Sequence, residues 1–332
     1  METSDPSAIS DTESSVAEHP DFSPIDRGAS LPRLISVGGA SRSGSTLLSL
    51  LLGRLDGSVV VGELRYLWSR GYRQNMLCGC GEPFRDCPFW REVVERVYGS
   101  FDTAPANELE ALQSSVAQIW DLPTLISPVR TAAADRRIER YLEHLRAICE
   151  AIRDVAGRAS IVDTSKLPSY CVLLAAASGS SSRFVHLVRD SRAVAFSFQR
   201  KRAKPDIHWM DASMQQFSPL KSAVDWNGLN LGMELVAATS ADVIRVRYED
   251  LVADPGATIE AIARPPTNRA VAGDHVDVDI HHTVSGNPLR FTRGPLTVRL
   301  DAEWSESMNR RDRCVVTAAT APLLLRYGYA LA

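Results

Sequence analysis

Short apolar runs recur along the chain, each ending in a polar turn that leads into a stretch of helical spacing. The first is Leu34 to Val37, followed at once by Gly38, Gly39, Ser41, Ser43 and Gly44. The leucine-rich stretch from Thr46 to Gly53 then reads as a buried helix. Runs at 58–61, 159–163, 183–188 and 242–247 are equally short and rich in β-branched residues. Helical patterns over 135–156, 167–177, 193–202 and 226–238 separate them, and another covers 302–327 with a break near 311–314. Strands of this kind alternating with helices predict an α/β three-layer sandwich. Its central sheet is mostly parallel and is flanked by helices on both faces.

Residues 1–30 lack that periodicity. They are polar and acidic, carry no Lys or Arg before Arg27, and contain Pro6, Pro20 and Pro24. They are expected to form a disordered tail, leaving residues 31–332 as one domain. Two segments do not read as sheet framework: 64–130, with clustered aromatics and three cysteines, and 203–225, with Pro205, His208, Trp209 and Pro219. Such insertions on a rigid core usually build the variable side of a site.

Composition narrows the function classes. With 37 basic and 40 acidic residues, the net charge of -3 speaks against a general nucleic-acid binder but leaves room for a local anion site. Six cysteines are too few for a disulfide scaffold. No apolar run has the length of a membrane helix, and the N-terminus has neither a basic nor an apolar signal region. The expectation is a cytoplasmic protein without a membrane partner.

Two stretches suit anions. Gly39 to Thr46 (GASRSGST) has phosphate-loop spacing, except that Ser45 stands where such loops carry Lys. Arg42 lies inside the loop and can replace the missing charge, while Ser43, Ser45, Thr46 and the backbone around Gly44 offer donors. The second stretch, HLVRDSRAVAFS, runs from a strand into a helix. It puts Arg189 at the strand's C-terminal end and Ser197 one to two turns into the helix, both able to face one phosphate. Two phosphate sites on one sheet imply a ligand with phosphates at both ends.

These residues resemble the sulfotransferases that use 3′-phosphoadenosine 5′-phosphosulfate. SRSGSTLL is similar to their 5′-phosphosulfate loop, and HLVRDSRAVAFS to their 3′-phosphate motif, with Ser191 where Pro is usual. VRVRYEDLVADP, the CGCG…CPFW segment and GNPLRF extend the likeness to bacterial members. The resemblance implies a P-loop-like fold, a phosphosulfate donor and adenosine 3′,5′-bisphosphate as product; no metal is expected, because arginine, lysine and backbone donors can supply the positive charge. It assigns Arg42, Ser43, Gly44, Ser45 and Thr46 to the 5′-phosphosulfate, and Arg189 and Ser197 to the 3′-phosphate. It also places Tyr248 beside the nucleotide and Ser285, Gly286, Asn287 and Arg290 in a segment closing over it.

Sulfuryl transfer needs a proton acceptor and positive charge on the moving group. Glu63, just after the second strand, is the expected base; its position resembles that of the family's catalytic glutamate, and His208 is the alternative. Lys166 is expected to stabilise the transferring group. Asp163 either orients Lys166 or Ser165, or caps the loop. Cys78, Cys80 and Cys87 have no standard zinc spacing and no fourth ligand nearby, since His144 and Cys149 reach them only by folding back. Packed thiols are the first expectation there, with a disulfide and a zinc site as alternatives, beside an acceptor wall of Phe84, Phe89 and Trp90. The aromatic residues Trp68, Tyr72, Phe84, Trp90, Trp209 and Trp226 favour a small aromatic or sugar-containing acceptor, accepting on a hydroxyl rather than an amine. A P-loop NTPase or small-molecule kinase, and a non-catalytic nucleotide binder, are the rival classes.

Overall fold

The computed structural model describes residues 32–178, 182–240, 242–263 and 275–331. The expected N-terminal tail lies outside them. Five strands form one parallel sheet: β1 (Arg33–Gly38), β2 (Ser58–Gly62), β3 (Ser160–Lys166), β4 (Ser182–Val188) and β5 (Val243–Arg247). Their spatial order is β2-β3-β1-β4-β5, with every neighbouring pair parallel. A separate antiparallel pair, β6 (His275–Val278) with β7 (Gly294–Thr297), was not foreseen from the sequence.

The helices in chain order are α1 (Ser45–Leu52), α2 (Pro88–Tyr98), α3 (Ala106–Ser114), α4 (Leu122–Ile126), α5 (Ala132–Ala156) and α6 (Pro168–Ser178). They continue as α7 (Ser191–Gln199), α8 (Pro219–Thr239), α9 (Tyr248–Ala253), α10 (Pro255–Ile262), α11 (Trp304–Ser307) and α12 (Arg310–Arg326). None of the described helices is long and apolar enough to cross a membrane. The alternation of side chains along each strand divides them into layers. Ile35, Val37, Val60, Val162, Val185 and Leu187 pack with α1, α9 and α10 on one face. Leu34, Val61 and Ile161, the neighbouring positions, join the cluster containing α2, α5 and α6 on the other. Phe184 meets Met233 and Val236 of α8 on that second face. These contacts make the three layers that the run pattern anticipates.

Both presumed insertions hold more regular structure than expected. Residues 64–130 include α2, α3 and α4, whose apolar faces complete the second-face core. In the other segment, helix α8 starts at Pro219, because Ser218 caps the Lys221 amide and Pro at the first position needs no N–H partner. The break in the C-terminal helix falls at Met308 and Asn309, between α11 and α12.

The chain leaves β1 towards β2 and later leaves β3 towards β4, so the loops after β1, β3 and β4 meet where the strand order reverses. Open α/β sheets bind ligands at this switch point.

Candidate active site

Gly38 ends β1 and the chain must then turn sharply beneath a ligand-sized space. At Gly39, φ is 130° and an added Cβ would lie 2.4 Å from the Leu187 carbonyl oxygen, so only glycine fits. The Gly39 amide donates to the carbonyl of Lys166 at 3.0 Å, which ties the β1 loop to the end of β3. Gly44 caps α1 with φ 88°, and no side chain caps that helix start. The α1 amides therefore face the loop with their partial positive charge. An added Cβ at Gly44 would collide with the Tyr248 ring at 2.4 Å, so the tyrosine backs this turn.

A cavity of about 690 Å³ opens over these loops. Arg42, Gly44, Ser45, Thr46, Glu63, Lys166, Arg189, Ser197, Tyr248, Gly286 and Asn287 all line it. Residues from six separated stretches of sequence thus share one space. Eight basic residues border it, Arg42, Arg65, Arg70, Lys166, Arg189, Arg202, Lys204 and Arg299, against the carboxylates of Glu63 and Asp301. A chain of net charge -3 concentrates cations here, as an anion site requires.

Two of these arginines keep donors in reserve. Burial lowers the Arg42 pKa to about 10, with Arg202 adding to the effect, Glu63 opposing it and Arg200 contributing less. Arg189 donates from Nη1 to the Arg42 carbonyl at 3.1 Å and from Nη2 to the Asp301 carbonyl at 2.9 Å, and its guanidinium lies over the Tyr248 ring. Arg42 Nη1 and Arg189 Nε are buried without a hydrogen-bond partner among the described residues. Buried donors are rarely left so, and both suit an oxyanion.

Glu63 and Lys166 form a buried ion pair, Lys166 Nζ donating to Glu63 Oε1 at 2.5 Å. Burial by itself would raise the Glu63 pKa; the charges of Lys166 and Arg65, the Lys166 hydrogen bond and the charge of Arg70 outweigh it and hold the carboxyl below its usual value. Three of the four non-glycine residues with positive φ among the described residues are Arg42, Lys166 and Ser285. Backbone strain of this kind concentrates at ligand sites.

Asp163 combines its two expected roles, orienting Ser165 and capping the neighbouring chain. Its Oδ1 accepts from the Leu64 amide at 3.0 Å and the Ser165 hydroxyl at 2.7 Å, while Oδ2 accepts from the Ser165 amide at 2.9 Å. It caps the chain as it leaves β2, holding Leu64, the residue following Glu63, and it fixes Ser165 near the end of β3. Burial raises its pKa to about 6, with the Ser165 and Leu64 hydrogen bonds pulling the other way. Asp163→Asn would point an amide NH₂ at one of two buried backbone N–H groups. It should lower stability by about 1–3 kcal/mol in urea unfolding, the cost of a buried donor left unmatched.

The profile of the sulfotransferase family matches residues 32–264, which covers most of the chain, both anion loops and the Glu63–Lys166 pair. The chain belongs to the sulfotransferase family. The sulfotransferase domain from the curacin biosynthetic pathway is similar in fold, with a TM-score of 0.50 at 17% identity over 92% of this chain and 100% of that one. The sulfotransferase domain from the Synechococcus PCC 7002 olefin synthase gives 0.44 at 16% identity over 94% and 100%. No curated protein matches the sequence.

Other expected site residues of this sulfotransferase lie elsewhere. His208 is exposed, outside the cavity lining, with Nε2 at 3.1 Å from the Asn75 carbonyl oxygen. Arg290 is buried and committed to protein: Nη1 donates to the Thr283 carbonyl and Nη2 to the Leu77 carbonyl, each at 2.7 Å. It locks the C-terminal segment instead of facing the cavity. Ser285, also outside the lining, accepts from Arg70 Nη1 at 2.7 Å, and Ser43 is buried under its loop. The aromatic acceptor wall is differently composed. Phe84 and Trp90 are fully buried core, Trp226 sits beneath Arg189 with Nε1 donating to its carbonyl, and Trp209 faces solvent. The aromatics that do line the cavity are Tyr66, Phe198, Phe217 and Tyr248.

The expectation of no metal is overturned. Cys78, Cys80, Cys87 and His282 bring one ligand atom each within 4.8 Å of one another, a set able to hold a metal ion. The fourth ligand comes from 195 residues beyond Cys87, while Cys149 stays in the core and His144 pairs with Tyr98. Cys314 is exposed.

Proposed function

We propose that this chain transfers a sulfuryl group from 3′-phosphoadenosine 5′-phosphosulfate to a hydroxyl of a small-molecule acceptor. The observation that carries the reading is the common cavity of two separate anion loops, with Arg42 and Arg189 in it, and the Glu63–Lys166 pair. The loop amides, Ser45, Thr46 and Arg42 hold the 5′ end, and Arg189 with Ser197 holds the 3′-phosphate. Glu63 takes the proton from the acceptor hydroxyl. The acceptor oxygen forms the new S–O bond as the bond from sulfur to the phosphate oxygen breaks, and that oxygen leaves with the electron pair. Arg42 and Lys166 stabilise the charge that develops there. Lys166, already within hydrogen-bonding reach of Glu63, links the base to the transferring group.

Adenosine 3′,5′-bisphosphate should bind in calorimetric titration without Mg²⁺, and much more tightly than AMP or Mg²⁺–ADP. Donor-dependent release of the bisphosphate across a panel of phenols, alcohols and amines should then identify the acceptor class. Equal affinity for the bisphosphate and AMP would end the two-phosphate reading. Tighter binding of Mg²⁺–ADP would favour the kinase class.

A further inference from the structure

Three thiols and an imidazole converge behind the closing segment, away from the cavity. Cys78 and Cys80 sit on a tight turn, in which the Cys78 amide donates to the Glu82 carbonyl and the Gly81 amide to the Cys78 carbonyl. Cys87 precedes the first residue of α2. His282 arrives from the far end of the chain, its ring stacked on Phe89 at 4.9 Å and its carbonyl accepting from Trp90 Nε1. The Nδ1 atom of His282 lies 3.2 Å from Cys87 Sγ and 4.0 Å from Cys78 Sγ, and Cys80 Sγ lies 3.8 Å from Cys87 Sγ.

We propose that Cys78, Cys80, Cys87 and His282 bind one zinc ion that fastens the C-terminal segment to the cysteine turn. Two thiolates at 2.3 Å from a tetrahedral zinc lie about 3.8 Å apart, and a thiolate and an imidazole nitrogen about 3.5 Å apart. The four ligands already stand near those separations. They are far from the roughly 2.05 Å of a disulfide, and all three cysteines are free. Three thiolates with one imidazole are a closed structural zinc set, whereas calcium sites need oxygen donors.

The surroundings indicate what the ion does. The Gly79 amide donates to the Thr283 carbonyl, Arg290 reaches the Leu77 carbonyl and Arg293 the Gly79 carbonyl. Two residues after His282, Val284 pairs with the end of β2: its amide donates to Val61 and its carbonyl accepts from Glu63. Gly286 then lines the cavity. The ion therefore anchors, from outside the cavity, the segment around Val284 that pins the Glu63 backbone. This inference stands independently of the donor and acceptor proposed above.

The test uses the full chain purified under reducing conditions. Elemental analysis should find about one zinc per chain, and a mercurial reagent should release it into a chromophoric chelator. Cobalt(II) replacing zinc should give the intense visible bands of a tetrahedral site and a thiolate charge-transfer band in the near ultraviolet. Cys87→Ser and His282→Ala should each lower zinc occupancy at least tenfold under competition with a chelator. Hydrogen exchange at the amides of Gly79 and Val284 should quicken in metal-depleted protein, with the amides of β1 and β4 unchanged. Wild-type chain that takes up no zinc or cobalt while folded, or cobalt spectra without thiolate bands, would overturn the proposal even if the variants failed to fold. Bound iron in place of zinc, or an air-stable disulfide among the three cysteines that blocks metal uptake, would overturn it as well.

Discussion

Glu63→Gln should reduce kcat by about 10²- to 10⁴-fold, the usual worth of a general base, while adenosine 3′,5′-bisphosphate affinity stays nearly constant. The substitution keeps shape and a hydrogen-bonding oxygen for Lys166 but removes the proton acceptor. Stopped assays with an identified acceptor, together with bisphosphate titration of the same variant, provide the check. His208→Ala should keep the rate, because that imidazole is exposed and outside the cavity lining. The pH profile adds a second signature. Burial favours the neutral acid, but Lys166, Arg65 and Arg70 outweigh it and depress the Glu63 pKa, so the acid limb of kcat/KM should lie below the ordinary glutamate range. Lys166→Gln removes the strongest of these counterions and should move that limb upward, because the burial penalty remains. The same pairing contributes folding stability that is present above the unfolded glutamate pKa and is lost as pH falls through the depressed folded value. A Glu63→Gln variant with a normal rate would leave the reaction without this base. Loss of bisphosphate binding in that variant would instead mark Glu63 as the carboxylate that orders Lys166 and Arg42.

The other large effect concerns donor recognition. Arg189→Met should weaken adenosine 3′,5′-bisphosphate binding by about 10- to 150-fold, the equivalent of roughly 1.5–3 kcal/mol for a hydrogen-bonded charge. AMP, which lacks the 3′-phosphate, should lose much less. The ratio of the two affinities is the informative quantity, because Arg189 also donates to the Arg42 carbonyl and pairs with Asp301. If both nucleotides weakened equally, Arg189 would act by shaping the β1 loop and not by contacting the 3′-phosphate. Methionine retains an apolar stem of similar length and removes the guanidinium that lies over the Tyr248 ring.

The readable parts of this site share a physical property: each is local. Gly39, Arg42 and Gly44 lie within one strand–loop–helix unit, whose short-range geometry demands glycine at two turns and leaves helix amides free for an anion. Arg189 and Ser197 belong to another such unit, Glu63 follows directly on β2, and Lys166 ends β3. The cavity's remaining cations were harder to see. Arg200, Lys201, Arg202 and Lys204 form a visible basic run, of which Arg202 and Lys204 reach the cavity. Arg65 and Arg70 carry no sequence signal that separates them from solvated surface arginines.

Residue type alone told little about burial, and the errors follow from this. Phe84 and Trp90 were expected at an acceptor wall, yet Trp90 lies on the buried face of α2 and both join the core cluster shared with α3 and α5. Arg290 was expected at phosphate because it is charged, yet backbone carbonyls of Leu77 and Thr283 surround it. For both kinds of residue, the chain segment that arrives from elsewhere decides the role.

By itself, the sequence determined the alternation of strand and helix, the parallel sheet that such alternation requires, and the glycines of the loop after β1. Hydrophobic period and turn chemistry act over a few residues, so they are written where they operate. Only the tertiary structure decided that the loops after β1, β3 and β4 share one cavity and that Asp163 caps the Glu63 turn. It alone placed His282 beside Cys78, Cys80 and Cys87. Those pairings close loops of about 100 to 200 residues, and no local pattern encodes which distant side chain will be delivered, because the crossing of the strands and the packing of the helices between them set the meeting point.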